Sequence, residues 1–294
     1  MTAPTVLDVN GPGRGSLNEA ELDYLFDLNG FRVLQGAAGS VQLDSINAWV
    51  DAQDIDSLRP GDWIGDVEVH TYGARDGVNF QNIVEAGPVF EELIDHPAWF
   101  DQVRRYIAVG AHRLRIDECF LNVRRAGGYI PIHSGGDNVR FSGLFHWHNG
   151  AWAVGQINVL VALTDIGPGD GATTIVPGSH KSHLTHPQRN WEAGIGGDRA
   201  IAMREVHLKA GDALMFTDGL CHGSLPRTNP GERRVLIYRY APHLLAPRMN
   251  YIPSRELIAR LTPQRRAVIM PTAPRMRPGR TLGSDAFAHD AVGG

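Results

Sequence analysis

The pattern of apolar and polar residues changes along the chain, from helical spacing in the first third to short strand-like runs afterwards. Apolar residues recur at three- and four-residue intervals in 20–28, 41–53 and 89–109, which predicts amphipathic helices, the last broken at His96-Pro97. Ser16 and Glu19 have the spacing of a capping box, which predicts that the first helix begins there. A strand is predicted at 31–34, and the Gly- and Asp-rich stretch 54–85 is predicted to be mostly loop.

From Arg113 onward, short apolar runs between turn residues predict a second part made mainly of β-strands. Strands are predicted near 115–124, 129–134, 140–147, 153–164, 172–176, 204–208, 213–217 and 233–240. Many short strands after an N-terminal helical layer are typical of a closed double-sheet fold, a jelly roll. We therefore predict one mainly β domain over 1–270, followed by a weakly ordered Pro/Gly-rich tail over 271–294 that could serve as a flap.

Composition excludes several classes of protein. The 294 residues include 43% apolar and 20% charged residues, as in ordinary globular proteins, and the net charge of -4 gives no electrostatic case for binding a nucleic acid polymer. The chain has only two cysteines, no signal-peptide pattern at its start and no long apolar run. We expect a cytoplasmic protein with no membrane span.

Two histidines stand out because each lies at the end of a predicted strand beside glycines, where another group can approach closely. These are His133 in Ile132-His133-Ser134-Gly135 and His222 in Cys221-His222-Gly223-Ser224. Arg233 follows inside an apolar strand, and a buried guanidinium needs an anion such as a carboxylate. Two histidines and a carboxylate-binding arginine suit a non-heme Fe(II) enzyme that uses 2-oxoglutarate.

At these residues the chain resembles the phytanoyl-CoA dioxygenase (PhyH-like) superfamily of Fe(II)/2-oxoglutarate enzymes, from about Leu28 to Pro242. Its most specific parts are the segments 171–181 and 211–216, followed by His222-Gly223-Ser224 and Arg233. The resemblance implies a cupin-like double-stranded β-helix in which His133 and His222 bind iron. It also implies that Arg233 and Ser224 hold the distal carboxylate of 2-oxoglutarate, and that Asn122 contacts this cosubstrate.

The chain departs from the family at the position two residues after the first histidine ligand. The family pattern is His-x-Asp, whereas this chain has His133-Ser134-Gly135, and glycine has no side chain that could bind a metal. In one subclass of these enzymes a small Ala or Gly there lets a halide bind, and the enzyme chlorinates an unactivated carbon. The resemblance therefore implies a natural-product halogenase that uses Fe(II), 2-oxoglutarate, O2 and chloride, with Gly135 and Ser134 at the halide position.

Other interpretations stay open. Asp137, or another carboxylate, could complete the metal site and make the protein a hydroxylase, and a protein without the carboxylate could be a non-catalytic cupin-like binding protein. His148-Asn149-Gly150 is a second His-x-Gly pattern, although the strand before His133 favours His133 as the ligand.

The substrate is predicted from the side chains expected near the site. Basic residues there, which include Arg124, Lys181 and Arg239, favour an anionic small molecule. His146, Trp147 and His148 are also candidate substrate contacts, because histidines could line the cavity and an aromatic ring could stack on a planar base. If the anionic group is a phosphate, a phosphate and a base together suggest a nucleotide. The chain is similar to halogenases of deoxyadenosine monophosphate of the 2′-chloropentostatin type.

Overall fold

The computed structural model describes residues 17–73, 75–107, 114–135, 141–189, 201–245 and 251–270. The helices are α1 (Glu19–Asn29), α2 (Ser40–Asp51), α3 (Pro88–Glu91), α4 (Phe100–Ile107), α5 (Arg255–Arg260) and α6 (Pro263–Ile269). The strands are β1 (Phe31–Leu34), β2 (Trp63–Ile64), β3 (Val67–His70), β4 (Val78–Gln81), β5 (Leu114–Arg124), β6 (Ile130–His133), β7 (Phe145–His148), β8 (Ala151–Val154), β9 (Ile157–Ala162), β10 (Thr173–Ile175), β11 (Arg204–Val206), β12 (Ala213–Thr217), β13 (His222–Ser224) and β14 (Arg233–Pro242).

The strands form two main antiparallel sheets and a hairpin. The larger sheet has the order β1-β12-β9-β14-β5-β4-β3-β2, the smaller one has the order β11-β10-β13-β6, and β7 pairs with β8. Neighbours at the centre of these sheets, such as β12, β9, β14 and β5, come from distant parts of the chain, as in a jelly roll, and the predicted mainly β jelly-roll fold is confirmed. The predicted boundary between a domain at 1–270 and a tail stays a prediction, because 271–294 lie outside the described residues.

Alternation along the central strands divides the core into two layers. On one face of the large sheet, residues such as Val159 and Leu236 belong to the same apolar cluster as Phe26 and Ile46 from α1 and α2. On the other face, Leu160 and Val235 belong to the second cluster, with Ile175 from the small sheet. The helices therefore cover the outer face, and the inner face points between the two sheets, where the candidate site lies.

The predicted helices form, but the cap of the first one differs from the prediction. The cap of α1 is Asn18, whose Oδ1 accepts from the Glu21 N–H at 3.0 Å while Glu21 accepts from the Asn18 N–H at 2.9 Å. The sequence contains two overlapping patterns of this kind, and the one that forms lies two residues after Ser16-Glu19. The predicted break at His96-Pro97 is confirmed, because α3 ends before this pair and α4 begins after it.

The stretch 54–85 is mostly loop, as predicted, but it also contains three short strands that the sequence analysis did not identify. It contributes β2, β3 and β4, which extend the edge of the large sheet beyond β5. These strands have only two to four residues each, so too few positions alternate for the period to be recognised. The predicted strand at 153–164 is two strands, β8 and β9, because Gly155 separates them. No helix in the described part of the chain is long and apolar enough to cross a membrane.

Candidate active site

The small sheet brings the two predicted metal ligands together. His133 ends β6 and His222 begins β13, and the register of these antiparallel strands pairs the two residues directly. Their ring centroids are 4.2 Å apart. The prediction that these histidines form one site therefore agrees with the geometry, although 88 other residues separate them in the sequence.

Backbone carbonyls orient both imidazoles. Nδ1 of His133 lies 2.9 Å from the Pro131 carbonyl oxygen, and Nδ1 of His222 lies 2.7 Å from that of Leu220. A carbonyl can only accept a hydrogen bond, so each Nδ1 carries the proton and each Nε2 is the unprotonated nitrogen. This tautomer is the one that binds a metal through Nε2, with a second hydrogen bond fixing the ring.

Burial keeps His222 neutral. Its pKa is lowered to about 3, first by burial and then by the neighbouring charge of His133. The ring packs at 4.8 Å from that of Phe216. Because a neutral imidazole is the ligand form, His222 is ready to bind a divalent metal at neutral pH. Among the described residues, no three His, Cys, Asp or Glu side chains lie together as a metal-binding group, so the donor set there consists of these two nitrogens.

Gly135 lies against the carboxylate of Asp218, which the sequence analysis did not identify as part of the site. The Gly135 N–H donates to the Asp218 carbonyl oxygen at 2.8 Å. A Cβ added at Gly135 would lie 1.9 Å from Asp218 Oδ2 and 2.6 Å from its Cγ. The φ angle of Gly135 is outside the left-handed region, so the backbone does not demand glycine. What excludes a side chain at this position is the Asp218 carboxylate.

Asp218 is itself held firmly. It is buried, its Oδ1 accepts from Asn158 Nδ2 at 3.1 Å, and its N–H donates to the Gln156 carbonyl at 3.0 Å. The hydroxyl of Ser134 donates to the Gly219 carbonyl at 2.8 Å, which ties the same turn to the end of β6. This hydrogen bond links the end of β6 to the turn that precedes β13. The predicted place of Ser134 at a halide position stays a prediction.

Arg233 is the predicted anion-binding residue, and its surroundings fit that role. It is 2% exposed, one of its terminal nitrogens donates to Thr173 Oγ1 at 2.9 Å, and its Nε has no hydrogen-bond partner among the described residues. Burial, and next the charge of Arg124, lower the pKa of Arg233 well below its usual value. An anion would satisfy the orphaned N–H and offset the burial of the charge.

Ser224 and Arg124 complete this end of the site. Ser224 Oγ accepts from Arg124 Nη1 at 2.7 Å and from the Ile130 N–H at 2.8 Å, which leaves the hydroxyl proton to donate elsewhere. Arg124 is also paired with Asp76 at 3.2 Å. Asn122 donates to the carbonyl of Asp76 at 2.9 Å, while its Oδ1 has no partner in the described part of the chain. Arg124 thus lies at the Arg233 end of the site, and its predicted contact with the substrate stays a prediction.

One cavity of about 690 Å³ joins these groups. Its floor is the inner face of β14, where Arg233, Val235, Ile237 and Arg239 alternate toward it. Arg233 and Arg239 are six residues apart, or about 20 Å at roughly 3.3 Å per residue. The cavity therefore has two polar ends separated by an apolar band.

Arg239 marks the second polar end. Its strand neighbours on either side are Asn158 on β9 and Glu118 on β5. Arg239 Nη1 lies 2.9 Å from Glu118 Oε2, and the guanidinium lies over the Phe120 ring at 5.3 Å. At this end, Arg239 Nε and Asn158 Oδ1 are buried without a hydrogen-bond partner among the described residues. One donor and one acceptor thus remain at this end of the cavity.

Other predicted substrate contacts lie away from the cavity wall formed by the described residues. His146, Trp147 and His148 are exposed on the β7–β8 hairpin, and the Trp147 ring packs at 4.9 Å against Trp152. Lys181 pairs with Asp27 at 2.9 Å, near the end of α1. Their assignment to the substrate stays a prediction. Asp137 lies outside the described residues, so its alternative role as the metal-binding carboxylate stays a prediction.

Sequence reasoning missed several groups that surround the site. Two of these residues had a signal that could have identified them. Asp218 precedes His222 by four residues, and Asn158 lies in a strand that is otherwise apolar. Glu118 and Asp76 had none, because their importance depends on partners in other strands.

Residues 26–235 match the model of the phytanoyl-CoA dioxygenase (PhyH) family. The chain belongs to this family. The dioxygenase FUM3 of Gibberella moniliformis is 38% identical over 92 residues, which cover 31% of this chain and 27% of that protein. The ectoine dioxygenase of Nocardia farcinica is 27% identical over 198 residues, which cover 57% and 66% of the two chains. The first curated relatives are therefore matched over only about a third of their length.

A crystal structure of HygX from Streptomyces hygroscopicus with nickel and 2-oxoglutarate bound has a TM-score of 0.65 to this chain. The two are 23% identical, and the superposition covers 82% of this chain and 94% of HygX. At this level of identity the likeness establishes a shared fold. The family membership expected from the sequence motifs is confirmed, whereas the halogenase subclass stays a prediction.

Proposed function

We propose that this protein is a non-heme Fe(II)- and 2-oxoglutarate-dependent oxygenase that hydroxylates a carbon of a small molecule. One observation carries the proposal: a pair of histidines with rings 4.2 Å apart and a buried arginine with an orphaned N–H face the same cavity. The family, and the dioxygenases among the relatives, agree with this activity. Iron with 2-oxoglutarate and O2 supplies the oxidising power when bound.

The residues present fit these groups. His133 and His222 would hold the metal through Nε2, because both Nδ1 atoms are committed to carbonyls. Arg233 and Ser224 would hold the distal carboxylate, with Asn122 and Arg124 beside them. Arg233, Arg124 and Asp76 together carry one net positive charge, which matches a single carboxylate.

Halogenation is the second candidate, favoured by the pair of histidines without a third protein donor among the described residues. In that case chloride would occupy a place near Gly135 and the product would carry chlorine. Hydroxylation has the stronger support, because the Asp218 carboxylate fills the space beside Gly135.

The substrate end of the cavity favours a neutral or amine-bearing polar group over a phosphate. Arg239 is already paired with Glu118, and Asp218 adds a second carboxylate nearby, so the described charges there have no positive excess. The free donor and acceptor on Arg239 and Asn158 suit hydroxyl or amine groups. HygX, a protein of the same fold, has been solved with hygromycin B bound. An anionic substrate such as a nucleotide is the alternative.

One test separates a hydroxylase, a halogenase and a non-catalytic binding protein. The protein is loaded anaerobically with Fe(II) and 2-oxoglutarate, then exposed to O2 with aminocyclitol or nucleotide substrates, with and without chloride. A product heavier by one oxygen whether or not chloride is present supports hydroxylation, and a product that carries chlorine supports halogenation. Failure of the wild-type protein to bind 2-oxoglutarate would refute both, and would favour a non-catalytic binding protein.

A further inference from the structure

Gly135 and Asp218 together define the space next to the metal position. Residue 135 follows the His133 ligand by two positions, which is where the family places its metal-binding carboxylate. In this chain the Oδ2 atom of Asp218 lies within 1.9 Å of the point where the β-carbon of residue 135 would be. The volume left by the missing side chain is therefore occupied by a carboxylate from another part of the chain.

The contacts of Asp218 keep its carboxylate in this place. Asn158 donates to Oδ1, and the backbone of Asp218 bonds to Gln156 on one side and to Gly135 on the other. The side chain is buried, with 1% of the residue exposed. Asp218 is also close enough to His222 for its charge to act on that imidazole. An anchored, buried carboxylate cannot move aside for another anion without breaking these hydrogen bonds.

We propose that Asp218 excludes halide from this metal centre and so determines which group is transferred to the substrate. The inference rests on the proposed Fe(II)/2-oxoglutarate chemistry. A chloride beside Gly135 would overlap with Oδ2 and would meet a like charge in a buried site. Gly135 alone would leave room for a halide, whereas Gly135 together with Asp218 does not.

The experiment reads halide binding directly and needs neither substrate nor turnover. The anaerobic complex of protein, Fe(II) and 2-oxoglutarate has a visible charge-transfer band that responds to the ligands of the iron. Sodium chloride is titrated against this band, with sodium sulfate at equal ionic strength as the reference. The proteins compared are the wild type, Asp218→Ala and Asp218→Asn.

We expect no saturable chloride response from the wild type over the titrated range. From Asp218→Ala we expect a saturable response, with an apparent affinity at least tenfold higher than the upper limit set by the wild-type titration. Asp218→Asn removes the charge and keeps the volume, so its response should lie between the two. Asp117→Asn is the matched control, because Asp117 is also buried and accepts from an amide, Gln156 Nε2, at 3.1 Å, but is not among the nearest neighbours of the Cβ position at residue 135. It should behave as the wild type.

A saturable chloride response of the wild-type band would overturn the proposal. So would a band that forms in Asp218→Ala but ignores chloride. If Asp218→Ala does not fold, Asp218→Asn decides the question by the same criterion. Absence of the band from the wild type itself would instead refute the proposed function, and the inference with it.

Discussion

The close approach of Asp218 to Gly135 makes a prediction about stability that is independent of any activity. In Gly135→Ala, the new methyl group would lie 1.9 Å from Asp218 Oδ2, where an ordinary contact needs about 3.4 Å. The carboxylate must therefore move by more than 1 Å, and its hydrogen bond from Asn158 is lost or weakened.

The cost follows from these two effects. Overpacking a buried site costs about 1–3 kcal/mol. Weakening a buried hydrogen bond to a charged group adds about 1 kcal/mol or more. We expect Gly135→Ala to lower the free energy of unfolding by about 2–4 kcal/mol. With an unfolding entropy of about 2.1 cal/mol/K per residue, a chain of this length should then lose roughly 3–6 °C in Tm.

Differential scanning calorimetry on a double-mutant cycle provides the measurement. In an Asp218→Ala background the two shortest contacts of the methyl group, with Oδ2 and Cγ, are removed and the contact with the backbone oxygen of residue 218 at 2.9 Å remains, so Gly135→Ala should cost clearly less than in the wild type. Gly73→Ala is the control, because a Cβ there has nothing within 4 Å and its φ is ordinary. An unchanged Tm in Gly135→Ala, or an equal loss in both backgrounds, would show that Asp218 is not what excludes the side chain.

Three further predictions concern the metal, the cosubstrate and pH. His222→Ala should abolish the visible band of the Fe(II)·2-oxoglutarate complex, because one imidazole cannot hold the metal alone. Arg233→Ala should weaken 2-oxoglutarate binding by about 2–4 kcal/mol, or roughly 30- to 900-fold in calorimetric titration, and unchanged affinity would remove Arg233 from the site. Burial lowers the pKa of His180 to about 4, so the unfolded chain binds more protons between pH 6.5 and 4, and stability should fall as the pH falls through this window. His180→Gln should flatten that part of the stability curve by up to about 3 kcal/mol, and an unaltered curve would contradict this pKa.

The predicted site residues that the structure brings to one cavity carry their own local signal. His133 and His222 stand beside glycines at strand ends, and Arg233 interrupts an apolar strand, so each is unusual in its own segment. The large sheet was recognisable where strands are long, as in β5 and β14, and unrecognised in β2 to β4, where they are short.

The parts that the sequence did not predict depend on contacts between distant segments. Gly135 was interpreted as the absence of a metal ligand, but its neighbour Asp218 is 83 positions further along the chain. Arg124 and Arg239 were both assigned to an anionic substrate because their charges were counted without their partners. In the structure Asp76 and Glu118 pair with them, and these carboxylates come from other strands or loops.

The partners of two arginines on one strand explain how the cavity can distinguish its ligands. Arg233 and Arg239 alternate onto the same face of β14, so their side chains alone would make both ends of the cavity positive. At one end the carboxylate of Asp76 pairs with Arg124, and the charge of Arg233 remains for an anion. At the other end Glu118 is paired with Arg239 itself, and only hydrogen-bonding capacity remains. Under the proposed function, a dicarboxylate would therefore bind at the Arg233 end, and the opposite end would be left for a polar substrate that approaches the metal from the other side.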